Sequence, residues 1–203
     1  MNTEIVSIHK NPLAGRPSCS MLFRLAVVVF MVVTSAGCGT LGKLIPAMKP
    51  EYPRETLQIV AREIEQAVQK GEKEPKIADR EGVKVNTPEI MQAIRTRAVR
   101  SPLVNDFLDT GFAVEHANGL IYIHLSKQYN KSTKRRQRDR QAYLIKNEND
   151  DRWAVYEGLI NANHYGAGAI DAVQEIFGEA RLHTMKPGQK YKDENGKFLT
   201  IKP

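Results

Sequence analysis

Cysteine is nearly absent from this chain: among 203 residues there are two, Cys19 and Cys38. Two cysteines give no disulfide framework, so a domain of this size must be held by its core. Long apolar runs are lacking too. The longest charge-free apolar core, Leu25–Val33, has nine residues, against about 20 for a helix that crosses a bilayer. Histidine is sparse and scattered: His9, His116, His124, His164 and His183 fall on different segments, with no His-x-x-x-His pair. The pattern therefore offers no metal-ligand set and no cofactor motif. Internal repeats and long low-complexity tracts are missing as well.

What is present begins with Cys38. The run LAVVVFMVVTSAG ends directly before it, with Arg24 as the positive flank and Thr34, Ser35, Ala36 and Gly37 as small residues. This is the layout of a bacterial lipoprotein signal. The expectation is a leader over 1–37, cleavage before Cys38, and lipidation of that cysteine. Ser35 stands where such signals usually carry an aliphatic residue, and Met21 offers an alternative start that leaves a compact signal. With Cys19 removed and Cys38 acylated, no thiol remains for catalysis. Gly39 follows the cysteine, which suggests delivery to the outer membrane, facing the periplasm; inner-membrane and lipid-free periplasmic forms are the alternatives.

The chain is basic, with 30 Lys and Arg against 23 Asp and Glu, a net charge of +7. Loss of Lys10, Arg16, Arg24 and Glu4 with the leader lowers that by two. Export directs the remaining charge toward anionic lipid or envelope polymer and away from nucleic acid.

Residues 38–53, broken by Gly39, Gly42, Pro46, Pro50 and Pro53, read as a tether. Over 54–85 the chain reads as an amphipathic helix and a polar linker. Leu57, Val60, Ala61, Ile64 and Val68 recur at helical spacing, Glu63 and Glu65 fall to a mixed polar face, and Gly71 stops the helix. Residues 71–86 hold little to bury. The remainder, 86–203, reads as the main domain. A second helix opens at Asn86 or Thr87 with Ile90, Ile94 and Val99 as its stripe. Ser101-Pro102 breaks it and starts a short helix with Leu103, Phe107 and Leu108 inward. Residues 111–125 predict a hairpin turning at Asn118-Gly119, with Phe112, Val114, Leu120, Tyr122 and His124 as its pattern. A helix follows whose shared face holds Ala142, Ile145, Asn149, Trp153, Tyr156 and Ile160, then another over about Ala169 to His183. A terminal hairpin turns at Asn195-Gly196, with Tyr191 and Phe198 as anchors. The fold class is mainly α: a small helical domain with two short β-hairpins, the second at the C-terminus.

Two groups of residues stand out. The first is a basic run in which Lys131, Lys134, Arg135, Arg136, Arg138 and Arg140 crowd ten positions, offset by Asp139. It reads as a solvated face, as a contact for lipid phosphate or another anionic polymer, or as a contact for an acidic protein. The second joins Glu148, Asn149, Asp151, Arg152 and Tyr156 to a closing segment, Lys186, Pro187, Gly188, Tyr191, Asn195, Gly196 and Phe198. Arg152 lies four residues after Glu148 and so can pair with it on one helix face. The expected role of this cluster is structural, tying the C-terminal turn to the long helix.

Those same residues carry a resemblance. The pattern Glu-Asn-x-Asp-Arg-x-x-x-Tyr, a helix with Val173, Ile176 and Phe177, and the ending KPGQKYKDENGKF together resemble the YdbL family of small bacterial envelope proteins. Pro88, Ile94, Arg95 and Arg97 and the segment GFAVEHANGLIYI fit the same order, so the resemblance spans roughly residues 86–202. This chain departs in having Ala113 and Val114 before Glu115, where the family favours Gly, and Phe198 where Trp is usual. The resemblance implies a noncatalytic accessory or scaffold protein that assists an envelope assembly serving phospholipid transport or outer-membrane homeostasis, with a protein partner there. The alternative is a module that binds envelope polymer or lipid headgroups itself; a small periplasmic hydrolase is the third reading.

Overall fold

A computed structural model describes residues 52–166 and 168–203. The leader, Cys38 and all but the last two residues of the expected tether lie outside the described residues. Among those described the fold is mainly α. In chain order the elements are α1 (Arg54–Lys70), α2 (Pro88–Asp109), β1 (Ala113–His116), β2 (Ile121–Ile123), α3 (Lys127–Ser132), α4 (Arg135–Asn163), α5 (Ala169–Leu182), β3 (Lys190–Lys192) and β4 (Phe198–Thr200).

The apolar stripe of α1 is buried as the spacing predicts, from Leu57 to Val68, and Gly71 closes the helix in the left-handed conformation at φ 70°. Thr87 caps α2, its hydroxyl accepting from the Ile90 N–H, with Pro88 in the first turn. α1 packs on α2 and α5, and α2 packs on α4. The main core lies among these four helices, around Leu57, Ile64, Ile90, Ile94, Leu159 and Phe177. A smaller one, Val104, Phe107, Leu108, Ala113, Ile121, Tyr129 and Ile145, fills the space between α2, the β1–β2 hairpin, α3 and α4.

Several expectations from sequence are corrected. Helix α2 continues through Ser101-Pro102 to Asp109. Pro102 removes one N–H from the helical ladder, but Ala98, Ser101, Val104, Phe107 and Leu108 are buried on both sides of it, and that packing holds the helix together. Val99 and Leu103, expected inside, are exposed at 61% and 60%. The segment 71–86 is no mere linker, because Ile77, Val83 and Val85 enter the main core. Side chains fix its backbone: the Asp79 carboxylate accepts from the Val85 and Asn86 N–H groups at 2.7 and 2.8 Å, and Asn163 of α4 bonds both backbone groups of Lys84. Helix α1 and this segment thus belong to the same core as residues 86–203.

The two hairpins join into one four-stranded sheet, ordered β2-β1-β3-β4, in which β1 and β3 run parallel and pair Glu115 with Tyr191. In β2 the inward positions are Ile121, fully buried, and Ile123, whereas Tyr122 points out. Phe198 is also half exposed, its ring edge-on to His124 at 4.9 Å and covered by Lys192. On α4, Ala142 is exposed, and Val155 and Leu159 do the burying. The β1–β2 turn sits directly on α5. A Cβ on Gly178 would collide with the Ala117 carbonyl, and one on Gly119, at φ 70°, would reach within 2.7 Å of the Gln174 carbonyl. Close approach of these backbones requires both glycines.

Candidate functional site

Three features carry the chemistry of the described residues: a buried ladder of ions, a polar groove beside His116, and an apolar groove between α2 and α4.

The ladder starts from positions where a helix puts a charged residue on its inner stripe. Glu65 falls between Ala61 and Val68 on α1, Arg97 between Ile94 and Ser101 on α2, and Glu148 and Arg152 are one turn apart on α4; all are buried. Arg97 grips both oxygens of Glu65 at 2.9 and 3.0 Å and turns its Nε to Glu148 at 3.0 Å. Arg152 donates its Nε to the same Glu148 oxygen at 3.0 Å and its two terminal nitrogens to Glu115 at 2.7 and 2.9 Å. Arg181 of α5 donates to Glu115 at 2.9 Å. The order Glu65–Arg97–Glu148–Arg152–Glu115–Arg181 alternates in sign and balances in charge. It crosses α1, α2, α4, β1 and α5.

Its ends and flanks are satisfied as well. Arg100 bonds Glu148 at 3.1 Å and Asp151 at 2.7 Å. Arg152 and the Tyr156 hydroxyl both donate to the Gly119 carbonyl, at 3.1 and 2.7 Å. Arg181 also meets Gln69 and Asn105. Burial alone would raise the Glu115 carboxyl; Arg152 and then Arg181 outweigh it and hold it at about 2. Burial likewise opposes ionisation of Glu148, and Arg97 and Arg152 overcome it and lower its pKa. Burial pushes the Tyr156 hydroxyl upward. The net contribution of such a ladder to stability is modest because desolvation offsets attraction.

The cluster expected to tie the C-terminal turn to α4 is therefore distributed differently. Glu148, Arg152 and Tyr156 do meet, but they grip β1 and the β1–β2 turn. Asn149 bonds the backbone of Ile121 in β2. Asp151 pairs with Arg100. The C-terminal segment is held elsewhere: Gln189 donates to Asp109 at the end of α2 at 2.6 Å, and Lys186 reaches the same carboxylate at 3.3 Å. Pro187 and Gly188 form the exposed turn, Gly196 turns the terminal hairpin at φ 78° beside Asn195, and Tyr191 is half-buried in β3. Glu65, Arg97, Glu115 and Arg181 were missed as members of the ladder. Glu65, expected on the polar face of α1, is buried on its inner side instead, because Arg97 of α2 supplies the opposite charge there.

The polar groove, about 490 Å³, is lined by His116, Asp171, Glu175, Lys192, Asp193 and Glu194 among others. Burial, reinforced by Lys192, lowers the His116 pKa, and its ring lies tilted against that of Tyr122, centroids 4.2 Å apart. Among the described residues no group of three His, Cys, Asp or Glu side chains is placed to hold a metal ion.

The apolar groove, about 600 Å³, runs between α2 and α4 and is lined by Leu103, Phe107, Tyr143 and Leu144, with Arg140 and Asp106 on its rim. Tyr143 is 68% exposed. Beside it lies the basic run. Lys131, Lys134, Arg135, Arg136 and Arg140 are exposed, while Arg138 turns back to donate to the Thr133 carbonyl at 2.6 Å and joins α3 to α4. Helix α4 begins with no side-chain cap and no acidic residue in its first turn, so Arg135 and Arg136 sit at the positive end of its dipole. Each such placement costs about 0.3–1 kcal/mol at low salt.

No described helix is long and apolar enough to cross a membrane. Comparison with protein-family models, with curated proteins and with solved structures found no match.

Proposed function

We propose that this protein is a lipid-anchored, noncatalytic accessory or scaffold protein of the bacterial cell envelope, held at the outer membrane through Cys38 and facing the periplasm. In this reading it is a YdbL-like protein that assists an assembly serving phospholipid transport or outer-membrane homeostasis. The observation that carries the docking role is the groove between α2 and α4. Leu103 and Tyr143 stand on its walls at 60% and 68% exposure, while the charged residues of the interior are committed to one another in the ladder. An apolar concavity left open on a domain with a closed core is the mark of a contact surface.

The test is photocrosslinking in intact cells, with a crosslinking residue placed at Leu103 or Tyr143 and, as a control, at Ile59 on α1. The scaffold role predicts a discrete adduct with an envelope protein from the groove positions and none from Ile59. Adducts from neither face, or equally from both, would count against it.

A second reading, an envelope-polymer or lipid-headgroup binding module, draws on the exposed cations at the start of α4. Near an anionic surface each such side chain contributes about 1 kcal/mol. Neutralising Arg135 and Arg136 would then weaken liposome binding in a salt-dependent way.

A further inference from the structure

The α2–α4 groove carries information about what fills it. Its walls are two helices, and the apolar wall on α2 extends a turn beyond Leu103 to Val99, itself 61% exposed. A concavity between two helices accepts the ridge of a third, whose side chains at i, i+3, i+4 and i+7 enter as anchors. The rim gives the sign of the occupant's charge. Arg140 lines the groove, and Arg136 lies one turn earlier on the same face. The uncapped start of α4 adds the positive end of its dipole. Against these, the lining holds the single carboxylate of Asp106. Arg100, at the other end, is already bonded to Glu148 and Asp151. Two copies placed groove to groove would bring their arginines together, which disfavours self-association through this face.

We propose that the α2–α4 groove docks an acidic amphipathic helix of a partner protein. The partner's apolar side chains would lie against Leu103, Phe107, Tyr143 and Leu144, and its carboxylates against Arg136 and Arg140. This rests on the accessory-protein reading above and names the chemistry of its partner; solution binding tests it independently of lipidation and location.

The full chain, in phosphatidylcholine nanodiscs with empty discs subtracted, is titrated against fluorescein-labelled helical peptides in an anisotropy assay. One peptide carries leucines at i, i+3, i+4 and i+7 with glutamates on the flanks; the other has every glutamate replaced by lysine. The glutamate peptide binds saturably and about tenfold or more tighter than the lysine peptide, and salt weakens it. Arg136→Glu with Arg140→Glu reverses that order, and Leu103→Asp with Tyr143→Asp abolishes binding of both. These side chains are solvent-facing, and circular dichroism verifies that each variant is folded. Equal affinity for the two peptides, or an order unchanged by charge reversal, would overturn the proposal. So would failure to bind either peptide, whether or not the chain instead retains short-chain phosphatidylglycerol in native mass spectrometry, which would make the groove a lipid site.

Discussion

The carboxamide of Asn149 makes both hydrogen bonds to Ile121 that a neighbouring strand would make: its Oδ1 accepts from the Ile121 N–H at 3.0 Å and its Nδ2 donates to the Ile121 carbonyl at 2.8 Å. Strand β2 is an edge strand, and an open edge invites pairing with another chain. A side chain on α4 thus closes the edge and fixes the hairpin against the helix at the same point.

Replacing Asn149 with Ala removes both bonds and leaves the Ile121 backbone groups unmatched. The expected loss is about 1–3 kcal/mol, seen as a lower melting temperature, together with concentration-dependent association through β2. Unchanged stability would show that Asn149 does not hold the hairpin. Asn149→Asp keeps the acceptor but sets a carboxylate oxygen against the Ile121 carbonyl, so it should destabilise at least as much as Asn149→Ala.

The same residue shows how far the sequence could be read. Asn149 was identifiable as a polar residue on the inner face of α4, but its partner was not, because Ile121 lies 28 positions away and β2 offers its free edge to α4 only once the hairpin is packed against that helix. The helical stripes of α1 and α5 were legible because their apolar spacing is regular. The stripe of α2 was obscured: Pro102 suggested a break that buried neighbours on both sides prevent. Val83 and Val85 were hidden by polar surroundings, their burial depending on backbone bonds from Asp79 and Asn163. The ladder was harder still. Glu65 and Arg97 each look like surface charges until a partner of opposite sign comes from another helix.

Glu115 is the junction of the ladder, facing Arg152 and Arg181. Glu115→Gln keeps the shape but leaves two buried guanidinium groups with too little negative charge. Breaking a buried pair from one side costs about 3–5 kcal/mol, a large share of the stability of an ordinary domain. Urea denaturation should show the unfolding free energy falling by that amount, through a lower midpoint with little change in slope. A loss below about 1 kcal/mol would mean that water or rearrangement compensates the arginines.

Acid should act on the same group. The Glu115 carboxyl is held at about 2 in the folded chain against an ordinary 4.5, a gap worth roughly 3 kcal/mol. Because the folded pKa is depressed, this stabilisation is fully present above pH 4.5. It is lost as pH falls from there toward 2, where the unfolded chain binds the extra proton. Glu148 acts in the same direction. Unfolding free energy followed from pH 6 to 2 should drop through that window, and Glu115→Gln should flatten the drop. Equal acid sensitivity in the variant would remove Glu115 as its source.

The central claim is a domain carried on a lipid anchor at the envelope, and the mature N-terminus tests it most directly. Mass spectrometry of the chain purified from membranes of its own host should find an N-terminus at Cys38 bearing acyl groups, with nothing of residues 1–37. An unmodified Cys38, or a chain still beginning at Met1 or Met21, would contradict the account.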